Sequence, residues 1–230
     1  MRAIWKFAIS KHYVPDIDHF KNLHWGKYNS SKTKTITKTQ LKKLLFHLSN
    51  KQCNMEPCWF WKTVVSFMYY TGVRRKQLVT IRWKDLNLEQ MTLFLSAKGE
   101  KTDIERTIPL VKPITTEMKR FRERILHNYP QIYSSEKQVF NITVYNPRYK
   151  GSKMNETQLS GFFKRLSKQI GFPVSSHRLR HTMATEIAKT GQIKPLQRIL
   201  GHTDISTTMN FYVHPDIDEL RKAADCLIDI

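Results

Sequence analysis

Apolar residues return at helical spacing in one segment of this chain after another, and only between Met91 and Pro109 does that rhythm change. Leu41, Leu44, Leu45 and Leu48 form a stripe behind Thr37, whose pairing with Gln40 fits a capping box. Phe60, Val64, Phe67 and Met68 follow Pro57, a good first-turn residue, and Gly72 is placed to end that helix. Residues 78–88 read as a short helix and turn, and 113–128 as an amphipathic helix. Segments 155–170, 176–190, 193–200, 204–213 and 216–228 read as further helices. The exception is a pair of β-like runs, Met91-Thr-Leu-Phe-Leu-Ser and Asp103-Ile-Glu-Arg-Thr-Ile-Pro, joined by Lys98-Gly99-Glu100-Lys101. Residues 129–153 read mostly as loop, with a short strand at 139–142. Trp59, Trp61, Tyr69 and Tyr70 read as core aromatics. The pattern predicts an α+β fold, mainly α-helical, with one small β-hairpin and no internal repeat.

Charge narrows the function. A formal net charge of +20 on 230 residues needs a polyanion partner or must tolerate self-repulsion. Nucleic acid fits; a membrane does not, because there is no apolar run of about 18 residues and no secretory signal at the N-terminus. Cys53, Cys58 and Cys226 are too few and too odd for a disulfide framework and imply reduced thiols. The charge is also uneven. Residues 1–50 hold ten Lys and Arg against Asp16 and Asp18, whereas six acids face Arg221 and Lys222 after His202. Residues 1–36 look like the end of a preceding unit: Trp5, Phe7 and Ile9 close a helix, and 28–35 form a polar, basic linker. A boundary near 36 leaves 37–230 as the main domain, ample for a single core.

Six residues carry chemistry: Arg74, Lys98, His177, Arg180, His202 and Tyr212. Phosphoryl transfer needs charge neutralised on the non-bridging oxygens, an in-line nucleophile and a proton for the leaving alkoxide. Arg74 and Arg180 suit the first task, because guanidinium forks bind phosphate bidentately. His177 and His202 can donate to the same phosphate or move a proton. Lys98, on the hairpin turn, can supply an ammonium, and Tyr212 can attack if nearby cations favour its phenolate. His177 and Arg180 stand three apart and share a helix face. Singly, each residue has a plain reading as surface charge, turn or packing; their conjunction overrules it. The His177/His181 spacing would suit zinc, but Arg178 and Arg180 repel a cation and no Glu follows the first His. His181 is expected as a buried hydrogen-bonding residue. Cys53 and Cys58 lack a second ligand pair. Neither a metal nor a cofactor is expected.

Five blocks in order, T-G-V-R (71–74), Lys98 in the hairpin, H-R-L-R-H-T (177–182), L-G-H (200–202) and S-T-T…Tyr212, resemble the tyrosine recombinases, the group of phage integrases and Xer-type recombinases. The likeness covers roughly residues 37–215. It implies the catalytic-domain fold of that family, with a small β-hairpin or sheet. It implies that Tyr212 is the nucleophile, forming a 3′-phosphotyrosyl link, and that Lys98 is the general acid. Arg74, Arg180, His177 and His202 would bind and activate the phosphate. Double-stranded DNA is the implied partner, in a tetrameric synapse of two sites, without ATP. The resemblance places such a protein in the cytoplasm with the nucleoid, encoded by a bacterium, a phage or a mobile element. The apolar set Ile217, Leu220, Ala224, Leu227 and Ile228 would either dock on a neighbouring protomer or pack at home. Two departures stand out. Gln77 replaces the acid that many relatives carry three residues after the first arginine. Residues 1–36 supply only the last helix and linker of a truncated N-terminal core-binding domain. The alternatives are a catalytically silent DNA-binding remnant and a nicking-closing activity like that of type IB topoisomerases.

Overall fold

In the computed structural model, which describes residues 2–17, 34–50, 53–97 and 105–212, the chain divides into two units, Met1–Lys32 and Thr33–Ile230. In the first unit, helix α1 (Arg2–Ser10) is followed by a turn in which the Trp5 indole donates to the Ile17 carbonyl at 2.8 Å.

In the second unit, Thr37 and Gln40 form the capping box that the sequence predicts. Thr37 Oγ1 accepts from Gln40 N at 3.1 Å, and Gln40 Oε1 accepts from Thr37 N at 3.0 Å. That reciprocal cap satisfies two of the amide donors a helix start leaves open, and helix α2 (Lys38–Ser49) follows with Leu41, Leu44 and Leu48 buried. Helix α3 (Cys58–Thr71) is apolar on nearly every face. Such a helix must be enclosed, and α2, α5 and α7 all pack against it. Trp61, fully buried, stacks on Phe162 with ring centroids 3.9 Å apart and planes 5° apart. Gly72 ends α3 in the left-handed region at φ 62°, as a Cβ-free residue readily does.

A one-turn helix α4 (Arg75–Leu78) leads to strands β1 (Leu86–Asn87), β2 (Thr92–Leu95) and β3 (Arg106–Pro109), an antiparallel sheet in that order. Leu93 pairs with Ile108 and Leu95 with Arg106. Leu93, Leu95 and Ile108 face the core while Phe94 is exposed, the alternation a one-sided sheet requires. Helices α5 (Lys112–Asn128), α6 (Glu156–Ile170), α7 (Ser176–Ala188), α8 (Ile193–Leu200) and α9 (Ile205–Tyr212) complete the described chain. Helices α7, α8 and α9 pack on one another pairwise. They enclose a second apolar cluster of Met183, Ala184, Ala188, Leu196, Leu200 and Tyr212, distinct from the main core.

Three local expectations are corrected. The helix expected at 78–88 instead ends at Leu78, because residues 81–83 pair with 137–139: Val139 N donates to Ile81 O at 3.0 Å and Trp83 N to Lys137 O at 3.2 Å. The strand expected at 139–142 is reduced to a single bridge, Arg82 with Gln138, before a 3₁₀ turn at Ile142–Val144. Tyr70, expected in the core, is 37% exposed. The sheet also gains a third strand. Lys98, most of the 28–35 linker and the helix expected at 216–228 lie outside the described residues.

Candidate active site

Helix α7 carries three of the residues that matter, and its start fixes them. Ser175 Oγ accepts from Arg178 N at 3.2 Å, capping the first turn. His177 and Arg180 then rise on one face, and His181 lies one residue farther round.

Arg180 is the hub. Its guanidinium is buried, donating from Nη1 to the Gly72 carbonyl at 2.5 Å and from Nη2 to the Leu200 carbonyl at 2.7 Å. Both carbonyls belong to helix ends whose last oxygens lack intrahelical donors. The same Nη2 lies 3.5 Å from His202 Nε2. One side chain thus joins the turns that present Arg74 and His202, whose partner carbonyls lie 108 and 20 residues away in sequence. Gly72 lets the chain turn abruptly from α3 to Arg74. Arg74 is held at the head of α4 by its own backbone: its N–H donates to Gln77 Oε1 at 2.8 Å. Gln77 is buried, and it serves the first arginine through the main chain. Arg75 is turned away, bound to Glu156 at 2.8 Å and Ser160 at 2.8 Å on α6.

His202 follows Gly201, which ends α8 at φ 65°. Its backbone is clasped by Gln197, whose carbonyl accepts from His202 N at 3.2 Å and whose Nε2 donates to His202 O at 3.0 Å. Its Nδ1 sits 2.9 Å from Thr208 Oγ1, a fully buried hydroxyl on α9. Arg106 reaches in from β3: its Nε donates to Ile199 O at 3.1 Å, and its guanidinium lies over the Gly201 α-carbon. The sheet that leads toward Lys98 is thereby anchored to the turn that bears His202.

Tyr212 ends α9 with its ring in the second apolar cluster and its hydroxyl 2.7 Å from His181 Nδ1. Burial raises the phenol above its ordinary pKa; the positive charges of Arg180 and Arg74 pull the other way and do not win. The two arginines thus favour the phenolate, as the sequence reading requires, but burial outweighs them here. His181 is held below its usual pKa by burial, then by His177 and Arg180. His177, with its ring edge open to solvent, is lowered by partial desolvation and by Arg180, Arg75 and Arg74. Both imidazoles are thereby biased toward the neutral form.

Five of the six predicted site residues thus surround one corner of α7, α8 and α9; Lys98 lies outside the described residues. The arrangement offers two guanidinium forks and imidazole donors for an anion, with a phenol beside them. Sequence reasoning quoted Thr208 in the S-T-T block but gave it no role, although it stands four residues before Tyr212 and so on the same face of α9. It also passed over Arg106, whose only signal was a cation in a β-run. It assigned His181 a hydrogen bond but not the partner. Among the described residues no three His, Cys, Asp or Glu side chains converge as a metal site.

A sequence model described as the phage integrase family matches residues 34–219. A XerC-type protein of Pseudomonas aeruginosa, named as a tyrosine recombinase, is 29% identical over 173 residues, covering 74% of this chain and 39% of that protein. The tyrosine recombinase XerA of Pyrococcus furiosus is 27% identical over 193 residues, covering 84% of this chain and 61% of that protein. The chain thus spans less than two thirds of the length of either relative. Among solved structures, the integrase of the Tn1549 transposon, in complex with a circular intermediate DNA, superposes with a TM-score of 0.76 at 21% identity. That match covers 98% of this chain and 76% of the integrase and shows a shared fold.

Proposed function

Because this chain belongs to the phage integrase family of tyrosine recombinases, we propose that it is a site-specific DNA recombinase domain that cuts and rejoins strands through Tyr212. In this reading Arg74 and Arg180 neutralise the non-bridging oxygens of the scissile phosphate. His177 and His202 donate to the same oxygens. Tyr212 displaces the 5′ oxygen, forming a 3′-phosphotyrosyl link, and Lys98 protonates that oxygen. The 5′ hydroxyl of a second strand then attacks the link and releases the phenol. Bond energy is conserved, so the cycle runs without ATP.

The observation that carries this reading is Arg180. Its buried guanidinium ties the turn before Arg74 to the turn before His202 and contacts the His202 ring. A guanidinium fixed in this way beside the His202 ring, with Arg74 and Arg180 both close enough to act electrostatically on His177 and Tyr212, is suited to a phosphate. The net charge of +20 supports a duplex DNA partner. Among the described residues no helix is long and apolar enough to cross a membrane. The reading further includes a tetrameric synapse of two sites, residues 216–228 docking on a neighbouring protomer, residues 1–36 as the end of a core-binding domain, and action on nucleoid or mobile-element DNA.

Covalent trapping tests it. The full chain is mixed with nicked suicide duplexes carrying candidate sites and resolved on a denaturing gel beside Tyr212→Phe. The expected result is a shifted protein–DNA band absent from the variant. Binding with no band on any duplex means a silent DNA-binding remnant. A band without recombinant junctions means nicking and closing only.

A further inference from the structure

Phenol and imidazole meet at 2.7 Å in the bond between Tyr212 Oη and His181 Nδ1. Taking Tyr212 as the nucleophile, the reading given above, we propose that His181 is a catalytic residue whose Nδ1 accepts the phenolic proton as Tyr212 attacks. The contact is within the range of a strong O–H···N bond, and the two rings are tilted by 46° with centroids 5.5 Å apart.

The other histidines are less well placed for this task. His202 Nε2 faces an Arg180 nitrogen, which can only donate, and its Nδ1 is engaged with Thr208. The His177 ring centroid is 6.4 Å from that of His181, toward the open edge of the site. His181 has a ring nitrogen bonded to the oxygen that must lose a proton. Its neutral bias leaves a lone pair on the ring, and the raised phenol keeps its proton until attack begins. Transfer must then accompany bond formation, which is general-base catalysis rather than prior ionisation.

The step balances as follows. The Tyr212 Oη–P bond forms while the P–O5′ bond breaks; the phenolic proton goes to His181 Nδ1, and the 5′ oxygen takes a proton from the Lys98 ammonium. In the return step the incoming 5′ hydroxyl gives its proton to the Lys98 amine. The departing phenolate recovers its proton from the His181 imidazolium.

The experiment uses the full chain on the suicide duplex that traps the unaltered protein. A second duplex carries sulfur in place of the bridging 5′ oxygen at the scissile phosphate. Sulfur is a better leaving group and needs no general acid, so it separates the two proton transfers. His181→Asn keeps an amide near the Nδ1 position without basicity; His181→Ala removes the group. Both are expected to bind DNA as the unaltered chain does and to lose cleavage rate by about a hundredfold or more. The sulfur duplex should restore Lys98→Ala but neither His181 variant, and added imidazole should raise the rate of His181→Ala. Cleavage by His181→Asn within about threefold of the unaltered rate overturns the inference while leaving Tyr212 as nucleophile. Rescue of the His181 variants by sulfur overturns it too, by placing His181 on the leaving group. Failure of the unaltered chain to form any adduct is a different result: it removes the nucleophile reading itself.

Discussion

His202 depends on an oxygen that both donates and accepts. Thr208 Oγ1 can take a proton from Nδ1 or give one to it. Either tautomer is therefore supported, and Nε2 is able to donate once an anion replaces the Arg180 contact. Thr208→Val keeps the shape and removes that service in a buried place. An unsatisfied buried group costs about 1–3 kcal/mol, so trapping kinetics should slow on the order of tenfold with DNA affinity unchanged. Acid should act on the same corner. His177 and His181 have folded pKa values below the unfolded one, so the unfolded chain takes up protons first on acidification. Stability is full above about 6.5 and is lost as pH falls through the folded values. Repulsion from Arg180, Arg75 and Arg74 adds to the effect of burial at His177. Thermal melts at decreasing pH should show Tm falling, with a shallower fall in His181→Asn. At this scale sequence motifs carried most of the site, because each block places its residue next to a turn-forming glycine or a helix start. They did not carry the Thr208–His202 contact or the His181–Tyr212 bond, which exist only once α9 lies against α7 and α8.

Among the elements, the sheet and the end of α8 hold each other through Gly201 and Arg106. A methyl on Gly201 would stand 2.3 Å from Arg106 Nη1, and φ 65° is strained for any side chain with a Cβ. Gly201→Ala should destabilise the fold by about 1–2 kcal/mol from the backbone alone, with more from displacing Arg106. The extra part should vanish in Gly201→Ala/Arg106→Ala, giving a measurable coupling in a double-mutant cycle by denaturant unfolding. Most helices were legible because caps and apolar spacing are local signals: Thr37 with Gln40, Gly72, and Pro113 in the first turn of α5. The stretch at 78–88 was not, since its conformation is set by pairing with residues 137–139, about fifty positions away. The third strand was missed for the same reason: Leu86–Asn87 is a strand only because β2 lies beside it.

For the molecule as a whole, a surplus of twenty positive charges predicts a partner whose grip weakens with salt. If about six phosphates are neutralised, log affinity should fall with log salt at a slope near −5, measured by fluorescence anisotropy on duplex DNA. Tyr212→Phe should leave that slope untouched, because it removes no cation. The distribution of charge was plain in the sequence, whereas the meeting of α7, α8 and α9 around a second apolar cluster was not. That meeting has a further consequence. Thr208 and Tyr212 stand one turn apart on α9, one bracing His202 and the other bonded to His181. A shift of this two-turn helix undoes both links together, so the site works as a logical conjunction with a shared input. A displacement of α9 would loosen the His202 brace and the Tyr212 contact at the same moment, whereas a substitution such as Thr208→Val severs one and leaves the other.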